Sequence, residues 1–299
     1  MKFTEKKAEI LLVFVIAARA TSFVFNKQLL DHMGVFNILA LRFVIAAVVM
    51  GLIFHKGLFK MTKREALAGL AVGGCYFLVL WSELAATAVS PTSTVALLQN
   101  TAVVIVPIIE MILTRKAPKA VTVFGVILAM AGVACIALPQ GEIGGGIAIC
   151  FVSALLYAIA IVVTDRVTDE SLNAMNVGIV QVAVIAVLSG VSTFLFETPT
   201  FPNGGGDWFR LLYLSLVCTG FGFTLVPVAQ SRLSASRAGI ICALSPAVAA
   251  VLGVIVLNEN LGIWGIIGVV LILISIILPH LMEMRREFAS AHQECKDDN

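Results

Sequence analysis

Charge is scarce in this sequence. Only 13% of its 299 residues are Asp, Glu, Lys or Arg, 60% are hydrophobic, and the mean hydropathy is +1.02. Soluble domains carry about a quarter charged residues, so this composition excludes an ordinary water-soluble globule. Histidine is also sparse: His32 and His55 fall at the ends of apolar runs, and His280 and His292 lie near or beyond the last one. A histidine metal centre or acid–base site at membrane depth is therefore excluded. The six cysteines show no CxxC or metal-ligand spacing, which excludes a disulfide framework and a zinc site. A net charge of +2, with no aromatic interleaving of the basic residues, excludes nucleic acid as a partner. Walker A, HExxH, GxSxG and dinucleotide signatures are all missing. The chain is expected to be no enzyme and no nucleotide-driven pump, and to need neither cofactor nor metal.

What the sequence has is long apolar runs. A hydrocarbon core of roughly 30 Å takes about 20 helical residues, and runs of that length occupy 8–30, 33–55, 65–87, 92–113, 119–138, 143–164, 173–196, 207–230, 236–257 and 262–282. They are continuous, which rules out the alternating strands of a β-barrel. The fold class this predicts is an all-α polytopic membrane protein with ten transmembrane helices. The basic N-terminus resembles a signal peptide, but Arg19 interrupts the run and apolar character resumes at Phe23. The first span is therefore expected to be retained. If the N-terminus is cytoplasmic, every Lys and Arg falls on the cytoplasmic side except Lys27 and Arg210, outside, and Arg19 and Arg42, within helices. This predicts a multi-pass protein of the cytoplasmic (inner) membrane with both termini cytoplasmic and the lipid bilayer as its solvent.

The halves of the chain match weakly. Arg42-Phe-Val-Ile-Ala-Ala aligns with Gln181-Val-Ala-Val-Ile-Ala, Thr92-Ser-Thr-Val with Ala235-Ser-Arg-Ala, and Gly125-Val-Ile-Leu with Gly268-Val-Val-Leu. Five helices per half force opposite orientations, giving two inverted five-helix repeats. In this register Lys116 corresponds to Glu259: the loop is kept and its charge reversed between the cytoplasmic and outer faces. The expected units are 1–140 (helices 1 to 5), 141–284 (helices 6 to 10) and a cytoplasmic tail, 285–299.

The run RLSASRAGIICALSP at 232–246, followed by Asn258-Glu259-Asn-Leu and Gly268, resembles the EamA domain of the drug/metabolite transporter superfamily. Ala86-Thr-Ala-Val-Ser-Pro-Thr-Ser with Ala96-Leu-Leu, and Arg42-Phe, resemble the first copy less fully. The resemblance spans nearly the whole chain as two EamA units and implies a ten-helix exporter-type fold. The chain departs from the family pattern at Arg19-Ala20, where Trp-Gly is common, and at Lys116, where Glu is common.

Candidate site residues are polar groups at membrane depth. Arg19 lies roughly 16 Å along helix 1, near the bilayer middle, where an arginine costs about 2.5–3.5 kcal/mol on insertion scales. Ser22 and Asn26 share its face. Glu83 is the acidic residue well inside a span, with Tyr76 and Thr87 on its face, and it is expected to approach Arg19 directly or through water. Trp81, Gln99, Asn100, Tyr157 and Gln181 complete the expected substrate-binding set, with Ser153 beside Tyr157. Arg42 reads as snorkelling outwards. Gly69, Gly73, Gly262, Gly265 and Gly268 read as close-packing positions, and Pro107, Pro227 and Pro246 as kinks.

The function expected from these residues is secondary transport: export of small polar metabolites such as amino acids across the cytoplasmic membrane, by alternating access between the halves. Glu83 either exchanges protons, making the proton the coupling ion, or is a structural mate of Arg19. A multidrug or organic-cation exporter using Glu83 and Trp81 is the alternative. An intramembrane enzyme or a scaffold without transport fits less well, because the first lacks a nucleophile, base or metal cluster at depth and the second needs no charged helix faces.

Overall fold

The computed structural model describes residues 5–58, 61–115, 120–137, 145–168, 171–222, 241–242, 244–260 and 262–297. Among the described residues all regular structure is helical. In chain order the helices are α1 (Glu5–Leu30), α2 (Val35–Ile53), α3 (His55–Leu58), α4 (Lys63–Val89), α5 (Thr92–Asn100), α6 (Ala102–Thr114), α7 (Ala120–Ala137), α8 (Gly145–Val167), α9 (Ala174–Phe196) and α10 (Gly204–Tyr213). A π-helix, π1 (Leu214–Phe221), continues α10, and α11 (Leu244–Leu257) and α12 (Gly262–Asp297) follow. Six spans among the described residues are long and apolar enough to cross a membrane: α1, α2, α4, α5 with α6, α8 and α9. Shorter apolar stretches lie in α7, α11 and α12. Large apolar side chains such as Phe14, Leu52, Phe194 and Ile263 point outwards, as expected where the surrounding solvent is lipid. This is a polytopic helical membrane protein.

Three differences from the sequence expectation have physical causes. The fourth run is broken at Asn100 and Thr101, where polar side chains take up backbone groups: Asn100 Nδ2 donates to Ala96 O at 2.7 Å and Thr101 Oγ1 to Leu98 O at 2.6 Å. The last helix runs on to Asp297, through the segment read as a tail. Gly262 serves a positive φ of 57° with open space around it and is not a packing contact. Pro227, Lys116 and 232–240 of the EamA-like motif lie outside the described residues.

Small residues bring helices together. A Cβ on Gly69 would sit 2.5 Å from Val180 Cβ, and one on Gly73 would sit 2.8 Å from Val184 Cβ, so α4 and α9 run side by side at nearly backbone distance. Gly132 packs in the same way on Gly268 O and Ile272, joining α7 to α12. The packing partners exchange in a regular way. α1 lies on α11 as α8 lies on α6, α4 on α9 as α2 on π1, and α4 on α8 as α1 on π1.

Carboxylates tie helix starts to distant segments. Glu197, after α9, accepts from Phe36 N at 3.1 Å and Asn37 N at 3.0 Å, which sets the start of α2 against the end of α9. Gly34 gives it room, since a Cβ there would collide with the carboxylate. Glu65 accepts from Thr62 N in its own capping box and from Asn173 N and Asn176 Nδ2 at the start of α9. Glu259, after α11, accepts from Thr92 N and Oγ1, each at 2.6 Å, and from Ser93 N and Oγ at 3.0 and 2.6 Å. At the other sign, Lys27 Nζ donates to Thr87 O at 2.6 Å and caps the end of α4. We expect Glu259→Ala to cost about 2–3 kcal/mol, because it strands two buried hydroxyls and two helix-start N–H groups. Thermal unfolding in detergent checks this, and Glu259→Gln should lose less.

Candidate functional site

The polar residues at mid-depth converge on one cavity of about 110 Å³. α1 supplies Arg19 and Ser22, α2 supplies Arg42 and Phe43, and α4 supplies Tyr76 and Glu83. Gln99 and Asn100 come from the broken end of α5, Tyr157 from α8, Cys218 from π1 and Ser245 from α11. Two irregular segments therefore border the cavity, the α5–α6 break and the π-helix.

The Glu83 carboxylate accepts from Gln99 Nε2 at 2.7 Å. Its backbone carbonyl accepts from Thr87 Oγ1 at 2.8 Å, so Thr87 is used within α4 and does not line the cavity. Arg42 is buried, 7% exposed, and its Nε donates to Thr219 Oγ1 at 2.8 Å, while its guanidinium lies 5.5 Å from the Phe43 ring centroid. Thr219 Oγ1 in turn donates to Leu214 O at 3.0 Å, the five-residue step of the π-helix. The outward snorkelling expected for Arg42 is thus corrected. It sits roughly 10 Å into α2, too far to reach the interface, and turns inwards to the hydroxyl that π1 presents. Arg19 is exposed and lines the cavity. Its aliphatic stem passes Gly222, where a Cβ would stand 3.0 Å from Arg19 Cδ. Both guanidiniums act electrostatically on Glu83. Tyr76 and Tyr157 meet edge to face at 6.2 Å.

Of the nine residues expected from sequence, the structure brings Arg19, Ser22, Glu83, Gln99, Asn100 and Tyr157 to this cavity. It does not bring Asn26, Trp81 or Gln181 there among the described lining. Trp81 stacks on Phe36 at 6.2 Å on the outer side of α4, since two residues turn a helix by about 200° and place it opposite Glu83. Asn26 and Gln181 are buried, and among the described residues neither Asn26 Oδ1 nor Gln181 Nε2 has a hydrogen-bond partner. Arg42, Tyr76 and Ser245 are lining residues that the expected set lacked. For Arg42 the signal was present in its depth.

Comparison with known proteins follows this geometry. The model of the EamA-like transporter family matches the chain twice, at residues 6–138 and 144–279. An uncharacterized transporter of Bacillus subtilis (strain 168), YetK, is 24% identical over 96% of this chain and 91% of its own length. Uncharacterized transporters of Clostridium kluyveri and Archaeoglobus fulgidus are each 26% identical, covering 92% and 91% of this chain and 93% and 96% of their own. A solved crystal structure at 18% identity superposes with a TM-score of 0.66 over 94% of this chain and 99% of that one, a likeness of fold alone.

Proposed function

The chain belongs to the EamA-like transporter family, and on that premise we propose that it is a secondary transporter exporting a small polar metabolite, amino-acid-like in size, by alternating access. The observation that carries this reading is the cavity itself. Two guanidiniums, a carboxylate and two amides at mid-depth come from the first matched segment, and the second closes the cavity with Tyr157, Cys218 and Ser245. Relative movement of two such halves would open the cavity to each side in turn. Arg19, Ser22, Glu83, Gln99, Asn100 and Tyr157 are the substrate-binding residues in this proposal, with Arg42 added. A cavity of about 110 Å³ is below the roughly 300 Å³ of drug-sized sites, and two arginines repel a cation. Both facts favour a small metabolite over an organic-cation exporter.

The proposal includes ten helices as inverted repeats, 1–140 and 141–284, in the inner membrane with both termini cytoplasmic. Support comes from antiparallel pairing of matching helices. α2 meets α9 start to end through Glu197, α5 meets the end of α11 through Glu259, and α7 lies antiparallel to α12, with Gly125 and Gly132 facing Ser275 and Gly268 respectively. A reporter fused after Asn299 should give a cytoplasmic signal, and a periplasmic one would overturn the inverted arrangement. Protons are the coupling ion proposed, with Glu83 as their site. The transport reading is tested by counterflow in proteoliposomes over a panel of small metabolites and cationic dyes. Saturable uptake of a metabolite supports it, and a protein that moves only the dyes contradicts it.

A further inference from the structure

We infer that the solute carried through this cavity bears a net negative charge, with a carboxylate as the group that Arg42 binds and Arg19 helps to neutralise. The inference rests on the transport reading above and narrows it. Among the described residues two guanidiniums and one carboxylate line the cavity, and its other polar groups, the amides Gln99 and Asn100, the hydroxyls of Ser22, Tyr76, Tyr157 and Ser245 and the Cys218 thiol, are neutral near pH 7. Arg42 is acted on by Cys218, Glu83 and Arg19, and Glu83 by Arg42 and Arg19; with the Cys218 thiol neutral, the three ionic groups form one electrostatic group that, among the described residues, carries a surplus of one positive charge. Residues 223–240, next to π1 in sequence, contain no Asp or Glu that could remove it.

The hydrogen bonds sharpen this accounting. Glu83 takes its 2.7 Å bond from a neutral amide, Gln99, and does not consume the fork of Arg42. Arg42 is anchored through Nε to Thr219, and among the described residues its two terminal nitrogens donate no hydrogen bond to protein. A buried guanidinium held by one edge, with its end facing a cavity, matches the paired oxygens of a carboxylate. A monoanion would bring the group to neutrality. A zwitterion leaves the surplus in place and a cation adds to it, a penalty that low dielectric enlarges.

The test uses four solutes of similar size: L-lactate and L-aspartate as monoanions, L-alanine as a zwitterion and 1-amino-2-propanol as a cation. Binding is read by thermal stabilisation of the purified protein and transport by counterflow in proteoliposomes. We expect the anions to bind at least about tenfold more tightly than alanine, equivalent to about 1.4 kcal/mol, and the cation not to bind. Glu83→Gln raises the surplus and should tighten anion binding by about tenfold or more, a gain that loss of folding cannot imitate. Arg42→Gln should erase the preference for anions, and Arg42→Lys should keep part of it. If neither anion stabilises the protein, or if stable Glu83→Gln protein binds anions more weakly, the inference is overturned. Counterflow of alanine or the amine without the anions overturns it while leaving the transport reading intact. Absence of counterflow for all four, with metabolite uptake also absent from the wider panel, overturns both.

Discussion

Glu83→Gln should abolish solute accumulation driven by a pH gradient, by more than about tenfold, while solute-for-solute exchange persists. The amide keeps the shape of the side chain and can still accept from Gln99 Nε2, which lies 2.7 Å from Glu83 Oε2 in the native protein. What it removes is the titrating oxygen, and exchange needs no net proton movement. A purely structural Glu83 would give another result. Arg42, buried and acted on by Glu83 and Arg19, would lose its opposing charge, and breaking such a pair typically costs about 3–5 kcal/mol. Unfolding temperature and both transport modes, measured on the one variant, separate the two roles. Wild-type accumulation by a stable Glu83→Gln protein would remove Glu83 from coupling.

The second large effect is expected from packing. A valine at Gly73 would place Cβ 2.8 Å from Val184 Cβ and 3.0 Å from Gln181 O, and one at Gly69 would place it 2.5 Å from Val180 Cβ. The Val184 and Val180 Cβ atoms and the Gln181 carbonyl are all fixed by the α9 backbone, so relief requires the helices to separate. Overpacking at one such position costs about 1–3 kcal/mol, and the double variant should fail to yield monodisperse protein. Because α4 carries Tyr76 and Glu83 into the cavity, a single Gly73→Val that does fold should also lose solute binding. Gly74, with nothing within 4 Å of an added Cβ, is the matched control. Size-exclusion profiles and unfolding temperatures of the Gly73→Val and Gly74→Val proteins should differ clearly, and equal behaviour would contradict this packing.

Much of the helical framework was legible because a helix in lipid must be an uninterrupted apolar run, and α1, α2, α4, α8 and α9 lie close to their expected bounds. The convergence of Arg19, Glu83 and the α5 amides was legible for the same reason, since polar groups at depth have only the interior to turn to. Trp81 has the aromatic chemistry of a binding residue, but helical phase turns it about 200° from Glu83 and onto Phe36. Arg42 was misread because its partner, Thr219, lies 177 residues away on a π-helix that apolar periodicity does not announce. The same separation in sequence hid the three capping glutamates, whose partners are 108 to 167 residues distant. In sequence Glu259 reads as a motif residue and as the charge-reversed counterpart of Lys116, and the structure gives it four hydrogen bonds at the start of α5.

The claim at the centre of this reading is that solute passes through the cavity bounded by Arg19, Arg42 and Glu83. The most direct measurement places a single cysteine at Ser245, which lines that cavity, in a background lacking the six native cysteines, and follows its reaction with a small water-soluble methanethiosulfonate during counterflow. Modification should block transport, and bound solute should slow the modification. Unimpaired transport by fully modified protein would contradict the claim.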